Sequence, residues 1–308
     1  MQGLEVARRF YLEWGQPYLQ QRFPALADRM AAGLFRGSRV LQADDEWSRD
    51  HGWGPLFVLL LPEADYAAHG EEVASALSAE APREWLGYRI TAPAANVEVS
   101  TVDRYCAHWL GFAAPPAAWR AWLGGTPHSG AREHELYLIR HGQVFADPLG
   151  EVEARRVAFA HYPEPARLHR VWEETFNVWH YGQYNVCERL VHRDDPVTSQ
   201  IALGRFVEAV MRLGLLLERD YTPYWKWLAH EFRRHAVATQ LDALLRKVCE
   251  PQPRADQARR VDEACRIVHE LLEAAGLAST DLTAHRHSLF CDQSALRARL
   301  DAEQTSGV

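Results

Sequence analysis

The sequence predicts an α+β protein, with a small mixed β-sheet domain over residues 1–150 and a helical bundle over residues 151–308. Three observations lead there. The segment Pro55–Leu61 (PLFVLLL) is apolar without alternation, as in a strand buried on both faces. Two short β-branched runs, Leu86–Thr91 and Asn96–Thr101, follow it before residue 150. From Glu151 onward the apolar residues recur almost wholly at helical spacing.

The elements follow in order. Leu4–Arg22 reads as an amphipathic helix, with Leu4, Ala7, Phe10, Tyr11, Trp14, Tyr18 and Leu19 on one face. Pro24 ends it. Gly33-Leu34-Phe35 forms a short strand leading into Gly37-Ser38, and a polar loop with Asp44, Asp45 and Glu46 follows. Asp50 then stands at the mouth of a strand read over Trp53–Leu61, which Pro62 stops. Ala64–Ala79 is a helix whose Tyr66, Val73 and Leu77 face the sheet. After the two β-branched runs come helices over Val102–Leu110, Pro115–Leu123 and Glu133–Arg140, the last two separated by a turn-rich break at Gly124–Gly130. Gly142–Asp147 closes the first domain as a strand, ended by Pro148-Leu149-Gly150.

The second domain is read as helices over Glu151–His161, Pro165–His192, Thr198–Asp220, Trp225–Cys249 (His230 the candidate point of interruption) and Asp256–Ala275. Gly276 is the C′ cap candidate of the last of these. A weaker helix, Asp292–Glu303, precedes a frayed tail. Long helices with short joins make a bundle.

A hydrophobic content of 47% and a charged content of 24% are those of a globular domain. The net charge of −7 supplies no global basic field for nucleic acid. The five cysteines are odd in number and widely spaced, so free thiols in a reducing cytoplasm are expected. No apolar run is long enough to span a bilayer, and no signal peptide is read at the start.

The residues that could carry chemistry gather around the Gly-Ser turn. A glycine there lets backbone N–H groups approach a phosphate closely. An acid on the neighbouring strand, Asp50, can hold Mg²⁺ against that phosphate. On alternation, His51 and Trp53 face away from Asp50, while Gly52 shares its side and offers no ligand. Glu98, between Val97 and Val99, points opposite to the valines: a second metal-facing acid or a solvent-facing strand residue. Asp44, Asp45 and Glu46 are either solvated or a substitute for a missing acid. Arg39 and Arg49 flank the same loop and either meet a triphosphate or neutralise the three acids. Thr101 is read as a helix cap with Asp103 in the first turn. Tyr221 to Trp227 is an aromatic turn, holding Tyr224 and Lys226 in a chain with only two lysines. His230 and His235 are one residue too far apart for a zincin pair, and His285, His287 and Cys291 lack a fourth zinc partner nearby in sequence.

Gly37-Ser38, the spacer and Asp50 resemble the signature of the polymerase-β-type nucleotidyltransferase superfamily. The three blocks DDEWSRDHGWGP, VEVSTVD and LLERDYTPYWKW, in this order, resemble a bacterial group of nucleotidyltransferase-like domains of unknown function. The resemblance runs from about Phe10 to Phe232 and departs at position 52, where Gly replaces the second acid. It implies Mg²⁺ or Mn²⁺ held by Asp50 and Glu98, with an NTP such as ATP as substrate. Gly37, Ser38, Arg39, Arg49, Tyr224 and Lys226 would contact the nucleotide, between the two domains. The expected reaction moves an NMP group to a hydroxyl or amine acceptor: a small molecule, a protein or an RNA end. The alternative is a nucleotide-binding regulatory protein that has lost turnover at Gly52.

Overall fold

A computed structural model describes residues 1–49, 53–90, 97–124 and 133–306. The chain forms an α+β structure of two compact units, Met1–Ala160 and His161–Val308. The division falls ten residues beyond Gly150, because the helix that follows Gly150 packs on helices of the first unit.

In the first unit, α1 (Gly3–Phe10) passes through a π-helical turn, Tyr11–Gly15, into α2 (Gln16–Arg22). The single helix read from periodicity is therefore continuous but widened at its centre. A short α3 (Pro24–Ala27) leads into β1 (Ala31–Leu34). β2 spans only Phe57–Leu60. The strand expected over Trp53–Leu61 begins four residues late because Gly54 sits at φ +132° and Pro55 follows it, a conformation outside the β region for any other residue. After α4 (Glu63–Glu80), only Tyr88–Arg89 of the strand expected over Leu86–Thr91 forms one: as β4 it pairs with β3 (Glu84–Trp85) in a small separate hairpin. Leu86 (φ +51°) and Gly87 (φ +81°) make its two-residue turn. β5 (Val97–Ser100) and α5 (Val102–Leu110) follow, and Trp119–Leu123 is a 3₁₀ turn where a helix was expected. α6 (Glu133–His141), β6 (Gln143–Ala146) and α7 (Glu151–Ala158) complete the unit.

The main sheet has the order β5-β2-β1-β6. β1 is antiparallel to β2 and β6, and β2 is parallel to β5, so the sheet is mixed. Its register puts Glu98, Val58, Gly33 and Val144 in one row on one face. The opposite face carries Ala32, Phe57, Leu59 and Val97, buried under Phe10, Tyr11 and Leu19 of the first helices and Val73 and Leu77 of α4. The Glu98 face is covered by α5, α6 and α7, with Leu60, Tyr105, Cys106, Ile139 and Val152 meeting there. Thr101 caps α5 by accepting from the Arg104 N–H at 3.2 Å.

The second unit is helical throughout: α8 (Glu164–Val178), α9 (Pro196–Leu217), α10 (Trp225–Phe232), α11 (Ala238–Cys249), α12 (Arg254–Ala274) and α13 (Ser288–Ser306). α8 runs into a second π-helical stretch, Trp179–Cys187, where a continuous α-helix was expected. Gly182 lies in that stretch because a Cβ would come 2.7 Å from the Phe206 ring. The interruption expected near His230 falls over the five residues between α10 and α11. Gly276 (φ +68°) terminates α12, with Leu277 N–H donating to Leu272 C=O at 2.8 Å. The fully buried Asp292 carboxylate joins α13 to α12 through His269 Nδ1 at 2.7 Å, and it accepts from Ser279 N–H at 2.8 Å. No helix among the described residues is long and apolar enough to cross a membrane.

Candidate functional site

The C-terminal end of β1, the N-terminal end of β2 and the N-terminal end of β5 coincide in this sheet. The Gly37-Ser38 turn, the lead-in 53–56 and Glu98 therefore gather at one end. Phe35 leaves β1 by folding back over two glycines: a Cβ on Gly33 or Gly142 would come 2.4 or 2.5 Å from its ring. Gly37 then adopts φ +84°, which side-chain-bearing residues rarely take. Val40, Leu41 and Gln42 donate back to Gly37, Ser38 and Arg39, winding the chain into a tight turn.

Arg39 is directed inward and is 5% exposed. Its stem passes so close to Gly3 that a Cβ there would sit 2.5 Å from it, and its Nη1 donates to Gly54 C=O at 3.4 Å. Burial lowers its guanidinium to about 10, against the attraction of Asp44. Asp44 Oδ2 accepts from the Gly3 N–H and the Trp53 indole, both at 2.8 Å, while its Oδ1 is buried without a partner. Arg39 and Asp44 thus tie the first helix, the turn and the entry to β2 together. Neither presents its charge to solvent as a triphosphate contact or a substitute metal ligand would.

A second cluster lies on the Glu98 face. Glu98 Oε1 accepts from the Trp109 indole of α5 at 3.4 Å. The Arg36 guanidinium stacks over the Trp109 ring, 3.1 Å from its centroid, and donates through two nitrogens to the Glu135 carboxylate of α6 at 3.2 and 3.3 Å. Glu135 is buried; burial alone would raise its carboxyl, but hydrogen bonds from His134 and Arg36 hold it below its ordinary value. Glu98 behaves oppositely. It is exposed by surface area, yet partial desolvation raises its carboxyl, and the Trp109 hydrogen bond with the Arg36 and His108 charges offsets only part of that. Beneath them the Tyr105 hydroxyl is buried without a partner, and burial, then the Glu98 charge, pushes it well above its usual range.

The expected site residues divide between the two units. Gly37, Ser38 and Glu98 share one end of the sheet. Arg49 closes the 3₁₀ turn Glu46–Arg49, and Asp50 and Gly52 lie outside the described residues. Lys226 is on α10 of the second unit, its ammonium 5.1 Å above the Trp227 ring, and the exposed Tyr224 ring lies 5.5 Å from Trp225. His287, set aside as a zinc ligand, accepts from the Trp179 indole at Nδ1 (3.0 Å), so its Nε2 carries the proton given to Glu188 at 2.6 Å. Sequence reasoning missed Arg36, Trp109 and Glu135. The one available signal was an arginine directly preceding a Gly-Ser turn.

A family model described as "Domain of unknown function (DUF4037)" matches residues 129–228. That stretch includes Glu135, Tyr224 and Lys226 but not Gly37, Ser38 or Glu98. The chain is 28% identical over 229 residues to a transketolase of Mycobacterium leprae (strain TN). The alignment covers 71% of this chain and 29% of that protein. No solved structure matches the chain.

Proposed function

We propose that the chain is a Mg²⁺-dependent nucleotidyltransferase of the polymerase-β type, moving an NMP group from an NTP such as ATP to a hydroxyl or amine acceptor. The observation that carries the reading is the gathering of the Gly37-Ser38 turn, the 53–56 lead-in and Glu98 at one end of a mixed sheet. Gly37, without a side chain, leaves room for a phosphate against the backbone. Arg36 is 37% exposed at its side chain, and its guanidinium can turn a free N–H to a phosphate oxygen while keeping Glu135. The Trp109 indole orients Glu98.

The donor set suits a single divalent ion better than a pair. Among the described residues no group of three or more His, Cys, Asp or Glu side chains could hold a metal. Glu98 is a carboxylate whose desolvation is only partly offset, so a cation beside it would relieve that cost. Glu135 is already held by Arg36. Glu98 and Asp50 would therefore hold the ion, with phosphate oxygens and water completing its shell. Bound there, Mg²⁺ would neutralise charge on the triphosphate as an acceptor attacks the α-phosphate and pyrophosphate leaves.

A second reading, nucleotide binding without turnover, is favoured by Gly52, which removes the acid that would help activate the attacking group. Pyrophosphate release from Mg·ATP by the parent and by Gly52→Asp separates the two. The enzymatic reading expects slow release by the parent and at least about tenfold faster release by the variant. Nucleotide binding with no release from either protein supports the second reading. No nucleotide binding at all contradicts both.

A further inference from the structure

The opposite end of β1 holds a cleft that the nucleotidyltransferase reading does not use. It has a volume of about 300 Å³ and opens between α2, α3 and the end of β6. That is the lower end of the size range of small-molecule sites. Its chemistry is one-sided. Asp28 and Asp147 contribute carboxylates, Gln16 and Gln20 contribute amides, and among the described residues no lysine, arginine or histidine lines it. Leu19 and Met30 supply an apolar wall.

Two features set this cleft apart from a surface dent with acids around it. The first is Tyr11, which lines the cleft and is only 3% exposed. Its ring is fixed edge-on against Phe57 (5.3 Å) and stacked near Phe145 (6.0 Å), while its hydroxyl has no hydrogen-bond partner among the described residues. With the rest of the side chain buried, this hydroxyl keeps its hydrogen-bonding capacity for whatever occupies the cleft. Burial raises this phenol to about 12, so it stays a neutral donor and acceptor. The second is Asp147: one oxygen accepts from the Glu153 N–H at 2.9 Å, and the other is buried without a partner. Asp28, at the rim, has no ion-pair partner among the described residues.

The backbone is shaped to place these groups. Tyr11 begins the π-helical turn Tyr11–Gly15, and Gln16 directly follows it. The turn closes against Phe57 only because position 15 is glycine, where a Cβ would come 2.8 Å from that ring. Such π turns are costly and occur often at functional sites.

From this geometry we infer that the cleft is a binding site for a small organic cation, an aliphatic primary amine or diamine. Its ammonium would meet Asp28 and Asp147, and its carbon chain would lie along Leu19 and Met30. An amine nitrogen or hydroxyl of the ligand would meet the Tyr11 hydroxyl at the floor. Anions are disfavoured by the two carboxylates, which no base among the described lining residues offsets. The cleft lies at the N-terminal end of β1, away from the end proposed for the nucleotide.

The test is calorimetric titration of the full chain with 1,4-diaminobutane, alongside 1,4-butanediol and succinate as neutral and anionic probes of equal carbon number. The diamine is expected to bind with a Kd of about 1 mM or tighter, and the other two at least about tenfold more weakly. Tyr11→Phe removes only the hydroxyl and should weaken the diamine about fivefold; Asp28→Asn should weaken it about tenfold. Ala27→Phe, at a half-exposed position on the cleft wall, should abolish binding with the melting temperature kept. If Tyr11→Phe fails to fold, Asp28→Asn and Ala27→Phe still decide the matter. The inference is overturned if the parent gives no diamine binding at about 10 mM, if diol or succinate binds as well, or if Ala27→Phe binds unchanged.

Discussion

Arg36 and Arg39 stand on either side of the Gly37-Ser38 turn and end in opposite environments. Arg39 goes inward, loses its solvent and is held by a backbone carbonyl and Asp44. Arg36 lies along the open sheet end, stacked on Trp109 and shared with Glu135 near Glu98. Sequence spacing cannot separate them, since both are arginines beside a glycine turn. What separates them is the positive φ of Gly37, which reverses the chain between the two and folds the Arg39 side chain under the turn. The lesson is that a charge beside a glycine turn can serve as the turn's scaffold. The carboxylates divide in the same way: Asp44 and Glu135 are drawn into the fold by donors, and Glu98 stays exposed with one indole hydrogen bond.

The sharpest way to break this contrast is Arg39→Ala. It removes a buried cation from beside Asp44 and the stem packed on Gly3 and Trp53. Denaturant unfolding should show a loss on the order of 3 kcal/mol. A loss under about 0.5 kcal/mol would place Arg39 among surface charges.

Next in size is Glu135→Gln, expected to cost about 1–3 kcal/mol at neutral pH. Its carboxyl is lowered on folding, so the stability it contributes is present above the unfolded-state value and lost as pH falls through its depressed folded value. Parent and variant should therefore converge on acidification. A gap that stays constant down to acid pH would show that shape, rather than charge, is what Glu135 supplies.

The smallest effect belongs to Glu98→Gln. The Glu98 carboxyl is raised on folding, so its ionised form is disfavoured in the folded protein. The corresponding stability is present below the unfolded-state value and lost as pH rises through the raised folded value. At neutral pH the variant should melt at the parent's temperature or slightly above it, and this small advantage should vanish on acidification. A clear drop in melting temperature would make Glu98 a structural residue like Glu135.

What the sequence reveals and conceals follows the range of the interactions. Thr101 and Gly276 were legible because a cap is a local hydrogen bond or a local φ. The sheet's strands were legible where apolar residues run together, but Trp53–Leu56 was misjudged because the φ of Gly54 ends the strand pattern without changing its hydrophobicity. The π turns at Tyr11–Gly15 and Trp179–Cys187 leave the apolar pattern nearly helical, and their causes are contacts with Phe57 and Phe206 from elsewhere in the chain. Within the candidate site, the turn at Gly37 and the strand holding Glu98 could be read from their neighbours, whereas the Arg36–Glu135 pair spans 99 residues of sequence and had no local signature.

The central claim is that the Glu98 end of the sheet holds a metal-bound nucleotide. Calorimetric titration of ATP into the parent and into Glu98→Gln, each with and without Mg²⁺, tests it most directly, because the substitution is expected to leave the fold intact. Mg·ATP should bind the parent and bind Glu98→Gln at least about tenfold more weakly, with metal-free ATP unable to tell the two proteins apart. Equal Mg·ATP affinity for parent and variant, or no Mg·ATP binding by the parent, would contradict the claim.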